Sequence, residues 1–256
     1  MKMGLEGKAV VVTGAASGIG EAIASLLAEE GVGGLVLVDR DGEGARRLAG
    51  ALSVEAEVVQ TDLADTGSVD AIAAAARARF GRIDGLVNAA GLTTRGSFVT
   101  GTPEIWDQLF AVNARAAFFL MQAAIGDMQA RGAAGAIVNI LSMNSHCGIP
   151  ELAIYAGTKG ALATLTRNAA HAHMADRIRV NGINLGWVAT ESEARMQADV
   201  MGRGAGWEAL AGAALPLGRL VTALECARLA VFLLGEASVP MSGAIIDFEQ
   251  KVAGAL

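Results

Sequence analysis

Tyr155 is the only tyrosine of the chain, and it lies four residues before Lys159 and thirteen after Ser142. Lysine is scarce too: the other three, Lys2, Lys8 and Lys251, sit near the ends. On a helix, residues i and i+4 share a face, so phenol and ammonium can address one ligand. A free phenol titrates near ~10, and an ammonium close by favours the phenolate. Bringing that value to neutrality takes roughly 4 kcal/mol of differential stabilisation, at about 1.4 kcal/mol per unit. An ammonium and a cationic cofactor ring, together in a partly dry site, can supply it. The chemistry in view is proton exchange with a substrate oxygen. Ser142 ends an apolar run, and its hydroxyl can hydrogen-bond that oxygen.

A glycine-rich turn lies upstream. Thr13, Gly14, Ser17, Gly18, Ile19 and Gly20 follow a β-branched run and open a helix-like one, with spacing Gly-x3-Gly-x-Gly. Such glycines let backbone approach a pyrophosphate, and the helix N-terminus adds free N–H groups and partial positive charge. The next apolar run ends at Asp39, nineteen residues after Gly20. A carboxylate there accepts both ribose hydroxyls of an adenosine and repels a 2′-phosphate, which favours NAD over NADP. Arg40 works against this, since a guanidinium can hold that phosphate, and Asp39 can also serve as a helix N-cap. Asp62, followed by Leu63, closes the third run, where a carboxylate can accept from an adenine amino group. Asn88, Ala89 and Gly91 close the fourth: small residues let chain pass beside a cofactor, and the asparagine can tie strands together.

The elements that must position these residues alternate regularly. Apolar runs over 8–13, 35–39, 57–61, 85–88, 136–141, 179–185 and 244–248 predict strands buried on both faces. Helices are predicted over 18–30, 42–51, 68–80, 103–131, 152–174 and 223–234. This alternation predicts an α/β fold with a doubly wound parallel sheet. No linker or repeat divides the 256 residues, so one domain over 1–256 is expected. Residues 190–215 break the alternation, and their glycines suit a substrate lid.

Composition narrows the partners. Hydrophobic residues make up 53% and the formal net charge is −6. A large core is expected, and without a basic stripe nucleic acid is not an expected partner. Cys147 and Cys226 form no disulfide framework. The first residues lack a signal-peptide apolar region, and no sequence run approaches the roughly 18 apolar residues of a bilayer span. A cytoplasmic protein off the membrane is expected.

With these motifs together, the chain resembles the short-chain dehydrogenase/reductase family over essentially its whole length. The matching residues are Thr13-Gly14-x3-Gly18-Ile19-Gly20, Asn88-Ala89-Ala90-Gly91, Asn113, Ser142 and Tyr155-x3-Lys159. The resemblance implies a seven-stranded Rossmann-like sheet in order 3-2-1-4-5-6-7 and a Ser–Tyr–Lys–Asn active site. It makes Tyr155 the general acid/base and has Ser142 orient the substrate oxygen. It has Lys159 bind the nicotinamide ribose and lower the Tyr155 pKa. Asn113 would hold a water in a proton relay from Lys159 to solvent, or simply bend its helix. A homo-oligomer, in particular a tetramer, is also implied.

Two departures stand out. Leu185 replaces the family's usual proline, although Gly186, Val188 and Thr190 remain to bind the nicotinamide carboxamide, and losing proline's fixed φ is expected to loosen the lid hinge. The last strand ends Asp247-Phe248-Glu249-Gln250 instead of Asp-Gly-Gly. The substrate is expected to be a secondary alcohol, met by Ser142, Asn144, His146 and Trp187. With Thr93, Thr94 and Arg95, this polar set favours a polyol, sugar or small hydroxy acid. A carbonyl or 3-oxoacyl reductase is the alternative, and an inactive nucleotide-binding scaffold the reading from another class. His171 and His173, two apart, point to different helix faces and make no metal pair, so no metal is expected.

Overall fold

The structure, a computed structural model, describes residues 3–204 and 206–253, apart from the side chains of residues 199 and 200. Three successive β/α units and a fourth strand begin the described chain: β1 (Ala9–Thr13), α1 (Gly18–Glu29), β2 (Gly34–Asp39), α2 (Gly42–Ala51), β3 (Ala56–Gln60), α3 (Ser68–Phe80) and β4 (Gly85–Asn88). There follow α4 (Pro103–Phe110), α5 (Ala117–Ala130), β5 (Gly135–Ser142), α6 (Ala153–His173) and β6 (Ile178–Leu185). The chain closes with β7 (Val188–Ala189), α7 (Glu191–Arg195), α8 (Trp207–Ala213), β8 (Val221–Thr222), α9 (Ala223–Leu234) and β9 (Ile245–Phe248).

Seven strands form one parallel sheet in the order β3-β2-β1-β4-β5-β6-β9. This is the predicted order, with β9 as the seventh strand. Every residue of β1 is buried, as a strand covered on both faces requires. One face packs against α1 and α9 through Ile23, Leu27, Ala227 and Val231. The other packs against α3, α5 and α6 through Ile72, Leu120, Met128 and Leu162. A short parallel pair, β7 with β8, was not foreseen; two-residue strands carry no periodicity to read.

The predicted helix 103–131 is interrupted. Ala111–Ala116 forms a π-helical turn between α4 and α5, and Asn113 lies within it. Thr102 caps the start, with Oγ1 accepting from Ile105 N at 3.3 Å. By length and composition Pro103–Ala130 is apolar enough to cross a bilayer, with a mean hydropathy of 1.4 over its most apolar window. No such stretch was expected from the sequence. More than half of that window is buried, and its inner face helps to close the second core layer.

Leu185 lies within the sheet, ahead of the predicted lid. It is buried at the end of β6, in register with Ser142 on one side and Phe248 on the other. Gly186 N continues the pairing to Phe248 O at 3.1 Å. A Cβ on Gly186 would stand 2.0 Å from Glu249 Oε2. The two departures from the family pattern, far apart in sequence, are therefore neighbours in space and packed on each other.

Candidate active site

The carboxyl ends of β1, β4, β5 and β6 meet along one edge of the sheet, where open α/β folds bind ligands. Thr13 ends β1, and its Oγ1 accepts from Ala89 N and Ala90 N, both at 3.1 Å. This ties the glycine-rich turn to the chain after β4. Gly14 has φ +67, and a Cβ there would stand 2.9 Å from the Ala90 backbone. A Cβ on Gly20 would lie 2.0 Å from Gly14 O. Both glycines are thus demanded by the turn's own packing, before any ligand is considered. Gly18, at φ +59, faces only the Thr190 side chain, 3.3 Å from where a Cβ would sit.

Ser17 stands at the N-cap of α1 with extended backbone but makes no capping bond. The first-turn N–H groups remain available to an anion. Asp39 Oδ2 accepts from Ala16 N at 2.9 Å and Oδ1 from Asp41 N at 2.9 Å, so the carboxylate braces the turn. It does not cap α2: that is Asp41, whose Oδ1 accepts from Gly44 N at 3.0 Å. Asp62 lies two residues past β3 and accepts from Ala64 N at 2.8 Å. Leu63 is buried in the second core layer. Asn88 Nδ2 donates to Asn139 Oδ1 at 2.8 Å, which joins β4 to β5 as expected. The turn, the uncapped helix and Asp39 together fit a dinucleotide.

Tyr155 and Lys159 lie on the buried face of α6, as their spacing predicted. Lys159 Nζ stands 5.8 Å from the Tyr155 ring centroid and donates to Ile140 O at 2.8 Å. Burial lowers the Lys159 ammonium to about 8. Burial also pushes the Tyr155 phenol up to about 12; the Ser142 hydroxyl pulls it down and the Glu193 carboxylate pushes it further up. The expected depression toward neutrality is not produced by the protein's own groups. Withdrawal from water outweighs a single ammonium that is itself desolvated.

Ser142 ends β5 and is 7% exposed. Its Oγ accepts from Asn144 N at 3.1 Å and from Asn144 Nδ2 at 3.2 Å, which leaves its own proton to donate. Asn144 thus orients Ser142, and its Oδ1 accepts from Ile149 N at 3.3 Å. His146 turns aside: its Nε2 lies 2.9 Å from Asp247 Oδ1, and Asn184 Nδ2 donates to the same oxygen at 2.8 Å.

Asn113 is buried and its side chain is fully engaged. Nδ2 donates to Leu92 O at 2.9 Å and Thr158 Oγ1 at 3.1 Å, and Oδ1 accepts from Leu92 N at 2.8 Å. Thr158 in turn donates to Tyr155 O at 2.7 Å. The side chain therefore locks the loop after β4 onto α6. Gly91 lies between, 3.4 Å from Lys159 Nζ and 3.6 Å from Asn113 Oδ1 at its Cβ position.

Val188 is buried in β7, beside Val221. Thr190 caps α7, with Oγ1 accepting from Glu193 N at 3.2 Å. Trp187 donates Nε1 to Glu193 Oε1 at 2.8 Å and leans on Trp207, with ring centroids 5.7 Å apart. Within residues 190–215, Gly202 and Gly204 take φ +65 and +69, the left-handed region that glycine enters without strain. Sequence reasoning missed Glu193, Gln197 and Thr158. The one available signal was Thr190-x-x-Glu193, the spacing of a capping box.

A hollow of about 610 Å3 between α3 and α5 shares only Leu63 with these residues and holds none of the catalytic set.

A fold and site of this kind define an NAD(P)-linked oxidoreductase. A family profile described as "Enoyl-(Acyl carrier protein) reductase" matches residues 14–249. The chain belongs to the short-chain dehydrogenase/reductase family. It is 34% identical over 239 residues to a sorbitol dehydrogenase of Cereibacter sphaeroides, covering 90% of this chain and 91% of the relative. It is 35% identical over 213 residues to an "Inactive 2-(S)-hydroxypropyl-CoM dehydrogenase 2" of Xanthobacter autotrophicus, covering 82% of this chain and 91% of that protein. In structure it resembles an L-sorbose reductase of Gluconobacter frateurii, solved with NADPH and L-sorbose, at TM-score 0.90 and 32% identity over 100% of both chains. The sorbitol dehydrogenase and the L-sorbose reductase are named for action on a polyol and a ketose.

Proposed function

We propose that the protein is an NAD-dependent dehydrogenase that interconverts a secondary alcohol and a ketone. The observation that carries this is the convergence of Tyr155, Lys159 and Ser142 at the sheet edge, beside the uncapped start of α1. Gly18 and Ser17 would face the pyrophosphate, Asp39 the adenosine ribose, and Lys159 the nicotinamide ribose. A nicotinamide held by these residues would supply hydride exchange with the substrate carbon. Ser142 donates its free proton to the substrate oxygen and holds it against Tyr155. Tyr155 exchanges the hydroxyl proton with that oxygen, and Lys159 stabilises the phenolate.

The substrate range rests on the polar residues expected from the sequence and on the sorbitol-named relative: a polyol, a sugar or a small hydroxy acid. The choice of NAD rests on the Asp39 carboxylate. The L-sorbose reductase solved with NADPH favours a second reading, a carbonyl reductase using NADP(H). Exposed Phe118 and Phe119 on α5 support a homo-oligomer, which we take as a tetramer.

The test is a panel of polyols, sugars and hydroxy acids with NAD and NADP, read as nicotinamide absorbance. Tyr155→Phe should bind NAD yet lose at least ~1,000-fold in kcat, since a positioned acid/base is worth about that much. Wild-type-like turnover in this variant would sink the assignment. Asp39→Ala should lower the NAD:NADP ratio of kcat/KM by at least ~10-fold, through loss of the charge that repels a 2′-phosphate. A wild-type preference for NADP would overturn the NAD reading.

A further inference from the structure

Two donors converge on one hydroxyl at the end of β5. Ser142 Oγ accepts from Asn144 N at 3.1 Å and from Asn144 Nδ2 at 3.2 Å. A serine oxygen has two lone pairs and one proton, so both acceptor positions are filled and only the proton is left. The amide cannot be turned round. Its Oδ1 accepts from Ile149 N at 3.3 Å, and reversal would set one N–H group against another.

The turn that carries Asn144 is held from two further strands. Met143–Ser145 forms one 3-10 turn, closed by His146 N donating to Met143 O at 3.1 Å. Ser145 Oγ donates to Asn184 Oδ1 on β6 at 2.9 Å. Asn184 Nδ2 donates to Asp247 Oδ1 on β9 at 2.8 Å, and His146 Nε2 lies 3.0 Å from Asp247 Oδ2. An ionised carboxylate offers only acceptors, so Asn184, 1% exposed, must turn its oxygen to Ser145. Strands β5, β6 and β9 lie side by side, and together they fix the position of Asn144. Ser142 also hydrogen-bonds the Tyr155 phenol. With both serine lone pairs taken, that bond runs from the serine proton to the phenol oxygen. The two hydroxyls therefore differ in ability: Ser142 can only donate, whereas Tyr155 can donate or accept.

We propose that Asn144 is a positioning residue that fixes Ser142 as a donor only, so that the proton of a substrate hydroxyl passes to Tyr155 and cannot be held by Ser142. In oxidation the substrate O–H bond breaks, its proton goes to the Tyr155 phenolate, and Ser142 keeps its own proton on the oxygen that becomes a carbonyl. An alcohol bonded the other way, into a Ser142 lone pair, would hold its proton away from Tyr155 and would not react. This rests on the dehydrogenase reading and assigns the division of labour within it.

The experiment is a double-mutant cycle, run at saturating NAD on the panel alcohol that wild type oxidises fastest. Asn144→Asp keeps the size of the side chain and the bond from Ile149 N, but faces Ser142 with an acceptor that draws the serine proton from the substrate. Its kcat should fall about 100-fold, as for loss of one preset donor to a reacting oxygen, and Ser142→Ala should fall about as far. In the Ser142→Ala background, Asn144→Asp should cost less than ~10-fold more. Asn144→Ala frees one serine lone pair; it should lower kcat several-fold without raising KM, the mark of unproductive binding. It carries the same cycle if Asn144→Asp does not fold by circular dichroism. Because Tyr155 is the only tyrosine, tyrosinate absorbance after a rapid pH jump titrates it alone. The midpoint should rise by about half a pH unit or more in Ser142→Ala. Asn144→Asp should raise it further in the wild-type background than in Ser142→Ala. Equal losses from an Asn144 variant in both backgrounds, or a raised KM with unchanged kcat in Asn144→Ala, overturn this proposal and leave the dehydrogenase reading standing. A wild-type protein that oxidises no alcohol of the panel overturns both.

Discussion

At the scale of single residues, Lys159 illustrates how a buried ammonium is held at a cost to stability. It is 4% exposed and burial lowers it to about 8, from an ordinary value of 10.5. Below pH 8 the ammonium stays charged in both folded and unfolded chains, so folding must desolvate it. That penalty is about 3 kcal/mol, at about 1.4 kcal/mol per unit, partly offset by the bond to Ile140 O. Between pH 8 and 10.5 the unfolded chain binds more protons, so stability rises with pH as the penalty is relieved. Lys159→Met should therefore be inactive yet melt several degrees higher at pH 7. The gap should narrow in thermal melts above pH 8. A variant less stable than wild type would refute this account.

At the scale of elements, the β1–α1 turn joins folding to binding. Its outer glycines are set by internal contacts: Gly20 leaves 2.0 Å to Gly14 O, and Gly14 leaves 2.9 Å to Ala90. Gly20→Ala must push the turn off its seat, at a cost of about 1–3 kcal/mol for an overpacked site. It should lower the urea midpoint and weaken NAD binding together in a fluorescence titration. Wild-type values for both would show that the turn tolerates the shift. The π turn at Ala111–Ala116 is a second such element. Insertions of this kind often mark functional positions, and this one carries the Asn113 side chain that locks Leu92 and Thr158.

At the scale of the whole molecule, Arg179 ties the far end of the sheet to α9. Its buried guanidinium donates to Leu233 O at 3.0 Å, Leu234 O at 3.1 Å, Gly235 O at 2.9 Å and Ser238 Oγ at 2.8 Å. A helix end leaves carbonyls unpaired, and a cation there satisfies them and opposes the dipole. Arg179→Met should cost about 3–5 kcal/mol, as for other broken buried charge networks, and lower the melting temperature without changing which substrates are used. A shift under about 1 kcal/mol would mean water replaces the guanidinium there.

The spacing of Ser142, Tyr155 and Lys159, the glycine-rich turn and the alternation of apolar runs were legible in the chain alone. They are local patterns, and helical and strand periods convert them directly into faces and edges. Strand order followed from the same alternation through the family likeness. What tertiary structure decided depends on groups brought together from distant positions. The Tyr155 phenol is pushed up because burial, a property of the whole packing, outweighs Lys159. Leu185 and Phe248 meet only because β6 and β9 are neighbours. Asn144 and His146 are expected at the substrate, and only the folded chain shows that Asn144 also donates to Ser142 Oγ and that His146 lies against Asp247. Glu193 went unnoticed in the sequence; only the folded chain shows its carboxylate turned to Trp187 and Gln197, because side-chain hydrogen bonding of this kind has no local period.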